Sequence, residues 1–270
     1  MQQRFSLSRR SLLKIGAAAA LSLAAAPASA AFRPTGKKGF CGPAHAFRPD
    51  LGCSWYYNWS LSPHPDIDIP FAPMVWGWDP RRTPQRLRLL PRRAPILFGF
   101  NEPDGRNQAN LSVPEALEAW PKFQDRADEI VSPSCVNSRG RWMTNFMLQA
   151  ERRGLRIDSI GFHSYSAPNL EQVIERLEDT WRLYGRPIWV TEIGVADWRS
   201  AQGRKRNRYG VEESLGFMSE ILDYMDRTPW IRGYCWFSGG TFGDGRSLST
   251  SAFFDGKGRP SPLYQLYAEH

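Results

Sequence analysis

Two glutamates in this 270-residue sequence share one local grammar. Glu102 closes the run Ala94-Pro95-Ile96-Leu97-Phe98-Gly99-Phe100 inside Asn101-Glu102-Pro103-Asp104, and Glu192 follows Pro187-Ile188-Trp189-Val190-Thr191. Each apolar run has the length and composition of a strand covered on both faces. Pro103 has no N–H for a ladder, so the first strand must stop there. Both carboxyls therefore stand at the carboxyl ends of buried strands, where α/β folds place their chemistry. Two carboxyls facing across a cleft suit glycoside hydrolysis, one giving a proton to the leaving oxygen and the other acting ionised, as nucleophile or base. Neighbouring groups can separate those two states by shifting the pKa values apart. The pair is distant in sequence, so only the fold can bring it together.

Other chemistries find less support. The four histidines, His45, His64, His163 and His270, show no metal-ligand spacing, and no metal or cofactor is expected. No GxSxG elbow, GxxxxGK[ST] loop or GxGxxG fingerprint occurs. His163 and Tyr165, at the end of Ser159-Ile160-Gly161-Phe162, are candidate wall residues of the site. Eleven tryptophans favour a sugar ligand, because flat aromatic faces match the C–H faces of pyranose rings. Trp55, Trp59, Trp76, Trp78, Trp198 and Trp236 fall at or after strand ends, whereas Trp142, Trp181 and Trp189 read as core.

The elements that must carry these residues alternate. Strand candidates begin at Leu51, Phe71, Ile96, Ile130, Ser159, Pro187 and Gly233. Helices are expected over Pro84–Leu90, from Val113 (capped by Ser112, broken at Pro121, resuming toward Glu129), over Trp142–Arg153, from Leu170 to a stop at Gly185, over Val211–Met225 and over Leu263–Ala268. Alternation argues for a parallel sheet. The preferred class is α/β, a short single-domain (β/α)8 barrel, although the count reaches seven strands and leaves one cryptic, near Ser62–Pro70 or Val195. A doubly wound sheet is the alternative, but Tyr56-Tyr57-Asn58-Trp59 stands where its Gly-rich turn belongs.

Residues 1–30 read as a twin-arginine leader: Ser8-Arg9-Arg10-Ser11-Leu12-Leu13-Lys14, a short apolar run, then Ala28-Ser29-Ala30. Export of a folded chain to the periplasm or medium is expected, with no membrane insertion after cleavage. Losing four basic residues and no acid lowers the net charge from +8 to +4, and the separated basic clusters form no nucleic-acid stripe. Residues 31–50 are rich in Gly, Pro and basic side chains and read as an irregular arm before a catalytic domain over 51–270. Cys41, Cys53, Cys135 and Cys235 lack a CxxC pair and allow three disulfide pairings.

Taken in order, Ser54-Trp55-Tyr56-Tyr57-Asn58-Trp59, Pro73-Met74-Val75-Trp76-Gly77, Gly99–Asp104, Ser132-Pro133-Ser134, His163-Ser164-Tyr165, Trp189-Val190-Thr191-Glu192 and Tyr234-Cys235-Trp236-Phe237 resemble glycoside hydrolase family 128, short-barrel endo-β-1,3-glucanases of clan A. The resemblance implies retaining hydrolysis of a polysaccharide, with Glu102 as acid/base and Glu192 as nucleophile. It implies that Asn101 binds the hydroxyl beside the reacting carbon, that His163 or Tyr165 holds the nucleophile, and that Trp236 floors the catalytic subsite. Trp55, Tyr57, Asn58, Trp76, Asp104 and Trp198 complete the expected substrate contacts. The strongly basic loop 197–208 departs from the pattern and would suit an anionic or modified glucan. A non-catalytic glycan-binding barrel and a glycosidase for another polysaccharide are the alternatives.

Overall fold

A computed structural model describes residues 34–270, and the expected leader lies outside them. Seven strands run parallel: β1 (Lys38–Cys41), β2 (Trp55–Tyr57), β3 (Ala94–Phe98), β4 (Ala127–Val131), β5 (Ile160–Ser166), β6 (Ile188–Val195) and β7 (Ile231–Phe237). β1 lies between β2 and β7, β6 between β5 and β7, and β3 pairs with β4. Parallel bridges Tyr56–Phe71 and Met74–Phe98 carry the sheet from β2 to β3 through segment 71–74. Bridges Val131–Ser159 and Cys135–Phe162 join β4 to β5. The ring thus closes with eight staves, as a (β/α)8 barrel requires. Pro70 and Pro73 cannot donate to a ladder, which keeps the third stave ragged. Their carbonyls accept from Tyr56 and Phe98 at 2.9 Å, so the stave still pairs on both sides.

The cryptic strand is therefore neither Ser62–Pro70 nor beside Val195, which ends β6; it is Lys38–Cys41, inside the stretch expected to be an irregular arm. The composition that suggested a loop has other uses. Lys37 donates to the carbonyls of Met225, Asp226 and Thr228 at 2.7–2.9 Å, satisfying acceptors at a helix C-terminus. Lys38 does the same for the Tyr267 carbonyl at 2.9 Å. Gly39 leaves room for an indole, since a Cβ there would stand 2.4 Å from Cε2 of Trp55.

The helices are α1 (Thr83–Arg86), α2 (Val113–Ala119), α3 (Arg141–Arg152), α4 (Leu170–Tyr184), α5 (Val211–Arg227) and α6 (Pro262–Glu269). Ser112 and Glu115 form the capping box of α2, and Gly185 ends α4 in the left-handed region at φ 60°. The helix expected to resume toward Glu129 instead becomes two 3-10 turns and β4. Among the described residues no helix is long and apolar enough to cross a membrane.

Two cores result. The outer one packs helices on strands, and the inner one fills the barrel with Trp55, Met74, Ile96, Phe98, Val131, Trp189 and Cys235. Trp55 and Trp189 meet edge to face at 5.1 Å between ring centroids. Gly233 makes space for them: a Cβ there would lie 2.4 Å from Cζ3 of Trp189 and 3.1 Å from Cζ2 of Trp55. Gly233→Ala is therefore expected to cost about 1–3 kcal/mol of stability through overpacking, read as a lowered urea midpoint at constant slope. An unchanged midpoint would show that the two indoles can move apart freely.

Candidate active site

Period-2 alternation sorts the strand residues between core and mouth. Inward positions near the carboxyl ends bring Tyr57 from β2, His163 and Tyr165 from β5 and Phe237 from β7 toward Glu102, which follows β3; a register shift between Val190 and Ile193 of β6 breaks the alternation and turns Glu192 the same way. They meet at a cleft of about 620 Å³, lined also by Trp59, Trp76, Asn101, Gln108, Val136, Arg176, Trp198 and Leu248.

Glu102 is buried and holds a left-handed backbone at φ 42°, a conformation that costs a non-glycine residue on the order of 1–3 kcal/mol. Its N–H donates to Ser134 O at 2.8 Å and its carbonyl accepts from Gly105 N at 2.9 Å, which pins the turn. The side chain is aimed into the barrel mouth, where Oε1 lies 2.9 Å from His163 Nδ1. Asp104 secures the neighbouring loop by accepting from the N–H groups of Val136 and Asn137 at 2.9 and 3.1 Å.

Glu192 collects donors. Tyr57 Oη and Trp59 Nε1 reach its Oε1 at 2.9 and 2.8 Å, and Tyr165 Oη donates to its Oε2. Burial, then the charge of Glu192, pushes both tyrosine hydroxyls well above their usual pKa, so they stay protonated and remain donors.

His163 joins the two carboxylates, with Nδ1 also 3.5 Å from Glu192 Oε2. Burial opposes its charge, but Glu192 and the hydrogen bond to Glu102 outweigh that, and its pKa rises above 6.5. A pKa raised on folding stabilises the fold fully below the unfolded value, and the contribution fades as pH climbs through the folded one. The Tm difference between wild type and His163→Gln is expected to be widest near about pH 5.5 and to narrow toward about pH 9. A difference independent of pH would exclude the imidazolium. Ligand atoms of Glu102, His163 and Glu192 lie within 4.8 Å of one another, a spacing that a cation could bridge. His163 Nδ1 already contacts one oxygen of each carboxyl.

The structure gathers Glu102, Glu192, Asn101, Trp76, His163, Tyr165 and Trp198 on the cleft, with Tyr57 directly beneath Glu192. Four expected substrate contacts are absent from the cleft lining. Trp55 opens its strand, so it fills the barrel interior with no exposure. Trp236 alternates with inward Cys235 and Phe237, so its indole faces outward against Phe217 and donates to Ser251 O at 2.9 Å. Asn58 binds its own loop, accepting from Ser60 N and Oγ at 3.2 and 2.9 Å. Asp104 is committed to the loop contacts above. Trp181, read as core, is 38% exposed and stacked on Trp230. All four cysteines are unpaired.

Gln108, Val136, Arg176, Phe237 and Leu248 are cleft residues that the sequence did not reveal. Alternation from Cys235 could have found Phe237. Gln108 accepts from Asn101 Nδ2 at 3.2 Å across a loop, and Arg176 reaches in from α4; neither has a spacing signal.

Residues 41–267 match the family described as the glycosyl hydrolase catalytic core. The chain belongs to that family. Solved structures put this hydrolase core with glycoside hydrolase family 128. A subgroup I endo-β-1,3-glucanase from Amycolatopsis mediterranei in complex with laminaritriose is similar at 29% identity and TM-score 0.70, over 86% of this chain and 98% of that one. A subgroup II endo-β-1,3-glucanase from Sorangium cellulosum gives 26% and 0.69, over 86% and 97%. A subgroup VII oligosaccharide-binding protein from Trichoderma gamsii, at 20% and 0.68 over 88% and 94%, shares the fold. No curated protein matches the chain significantly.

Proposed function

We propose that this glycoside hydrolase is an exported, retaining endo-β-1,3-glucanase. The observation that carries the mechanism is the approach of Glu102 and Glu192, with one oxygen of each carboxyl within 4.8 Å of the other. Retention needs carboxyl groups about 5–5.5 Å apart, and inversion needs about 6.5–9.5 Å to admit a water between them. Glu192, oriented by hydrogen bonds from Tyr57, Trp59 and Tyr165, attacks the anomeric carbon. Glu102 gives its proton to the leaving oxygen as the glycosidic bond breaks. Glu102, now ionised, takes a proton from water as that water displaces Glu192, and both carboxyls return to their starting states. Asn101, oriented by Gln108, lines the cleft beside Glu102 and is suited to a sugar hydroxyl.

The substrate reading draws on the aromatic walls, Trp59, Trp76, Tyr165, Trp198 and Phe237, and on relatives that bind laminarin oligosaccharides. Endo action is supported by two further hollows, of about 310 and 400 Å³, that both share Trp59 with the central cleft, the first also sharing Trp76 and the second Phe237. A polymer could lie along all three. Export rests on the twin-arginine leader.

Proton NMR of a laminarin digest tests the mechanism. The β-anomer of the new reducing end should appear first, with oligosaccharides of several lengths. The α-anomer first would mean inversion, glucose alone would mean exo action, and binding without turnover would make the barrel a glycan receptor.

A further inference from the structure

We propose that the central cleft selects a β-glucan bearing an acidic substituent, a carboxylate on one sugar, and that Arg176 is the residue that reads it. The proposal rests on the glycan-binding reading above. Arg176 is the only arginine or lysine among the residues lining the central cleft. It arrives from α4, where Nη1 donates to Ser164 Oγ at 3.3 Å and the guanidinium carbon stands 5.7 Å from the Phe162 ring centroid. Ser164 lies between His163 and Tyr165, the two residues that hold Glu102 and Glu192. The guanidinium thus lines the same cleft as the two glutamates.

Its counter-charge is what sets it apart. The neighbouring Arg139 pairs with Asp179, whereas no carboxylate pairs with Arg176 among the described residues. A half-buried cation without a counter-charge is costly, and burial together with Arg139 lowers its pKa, the direction that records this cost. A carboxylate on the ligand would supply the missing charge, and the guanidinium fork matches it with two parallel hydrogen bonds. It would also offset repulsion between an acidic sugar and the two catalytic carboxylates.

The basic loop, which the sequence offered for this task, is differently employed. Of residues 197–208 only Trp198 lines the cleft. Arg199 pairs with Asp197 at 2.8 Å, and Arg208 Nη2 donates to Tyr209 Oη at 2.6 Å.

The test is calorimetric binding of neutral laminari-oligosaccharides and of the same oligosaccharides oxidised at C6 to the carboxylate. Glu192→Gln protein keeps the ligands intact during titration. The carboxylated ligand should bind about tenfold more tightly at low salt, and the preference should shrink as salt is added. Adding Arg176→Gln should abolish the preference. Adding Arg176→Lys, which keeps the charge and loses the fork, should leave part of it; circular dichroism checks that each variant is folded. Equal affinities for the two ligands, or a preference that survives Arg176→Gln, would overturn the proposal and leave the glucanase reading standing. Binding of neither ligand would overturn both. Wild-type hydrolysis of neutral laminarin, measured separately, reports on the glucanase reading alone.

Discussion

Glu192→Gln is expected to lower kcat on laminarin by at least about 10⁴-fold, with KM for the polymer changed far less. The amide is nearly isosteric, so the cleft keeps its shape. It cannot form the covalent bond that divides the reaction into two displacements. It also carries no charge for Tyr57, Trp59 and Tyr165 to hold, so three buried donors lose their strongest acceptor. Glu102→Gln should be damaged less, by about 10²–10⁴-fold, the range of a lost general acid and base, and least on substrates whose leaving group needs no proton. Stopped-assay rates on laminarin and on an activated aryl glycoside separate the two. Equal losses for Glu102→Gln on both substrates would remove its assignment as proton donor, and substantial turnover by Glu192→Gln would remove the double displacement.

Trp55→Ala should cost about 3–5 kcal/mol of folding free energy while leaving KM unchanged in the fraction that folds. Trp55 is fully buried and packs against Trp189, Phe98 and Tyr57, with ring centroids 5.1, 5.9 and 6.4 Å away. Its Nε1 donates to Lys37 O at 3.0 Å, a bond that alanine cannot replace. Truncation leaves a cavity bounded by the backbones of Gly39 and Gly233, which have no side chains to collapse into it. Typical domains have about 5–15 kcal/mol in total, so much of the stability would go. Urea unfolding measures it. A raised KM with an unchanged midpoint would return Trp55 to the substrate.

The residues that the sequence located well are those whose chemistry is tied to a strand end. Glu102 and Glu192 each follow an apolar run, and the barrel rule turns that position into a place at the mouth. His163 and Tyr165 were found by the same logic. The tryptophans were harder because a strand end has two variables, depth along the stave and the face presented. Trp55 was misjudged in depth and Trp236 in face, although Cys235 and Phe237 on either side marked the inward parity. Lys38–Cys41 was hidden because its glycine and lysines resemble loop composition. Only the positions of the Trp55 ring and the ends of two helices explain them. Arg176 and Gln108 act through tertiary proximity, which leaves no period in the chain.

The stave at Lys38–Cys41 also bears on how the molecule comes into being. Its partners on one side, Tyr234 to Phe237, are the last strand, so the seam of the barrel joins the two extremes of the described chain. During synthesis the first stave waits until nearly everything else has emerged from the ribosome. Contacts of such long sequence separation are slow to form, and an open barrel exposes two unpaired edges meanwhile. A transporter that threads extended chain would carry β1 across the membrane long before β7, whereas one that moves finished molecules would receive a sealed barrel. For the export proposed above, the order of zipping and crossing becomes a property of this one seam. A lysine-to-glutamate change at Lys37 or Lys38 should register as slower closure as well as lower stability.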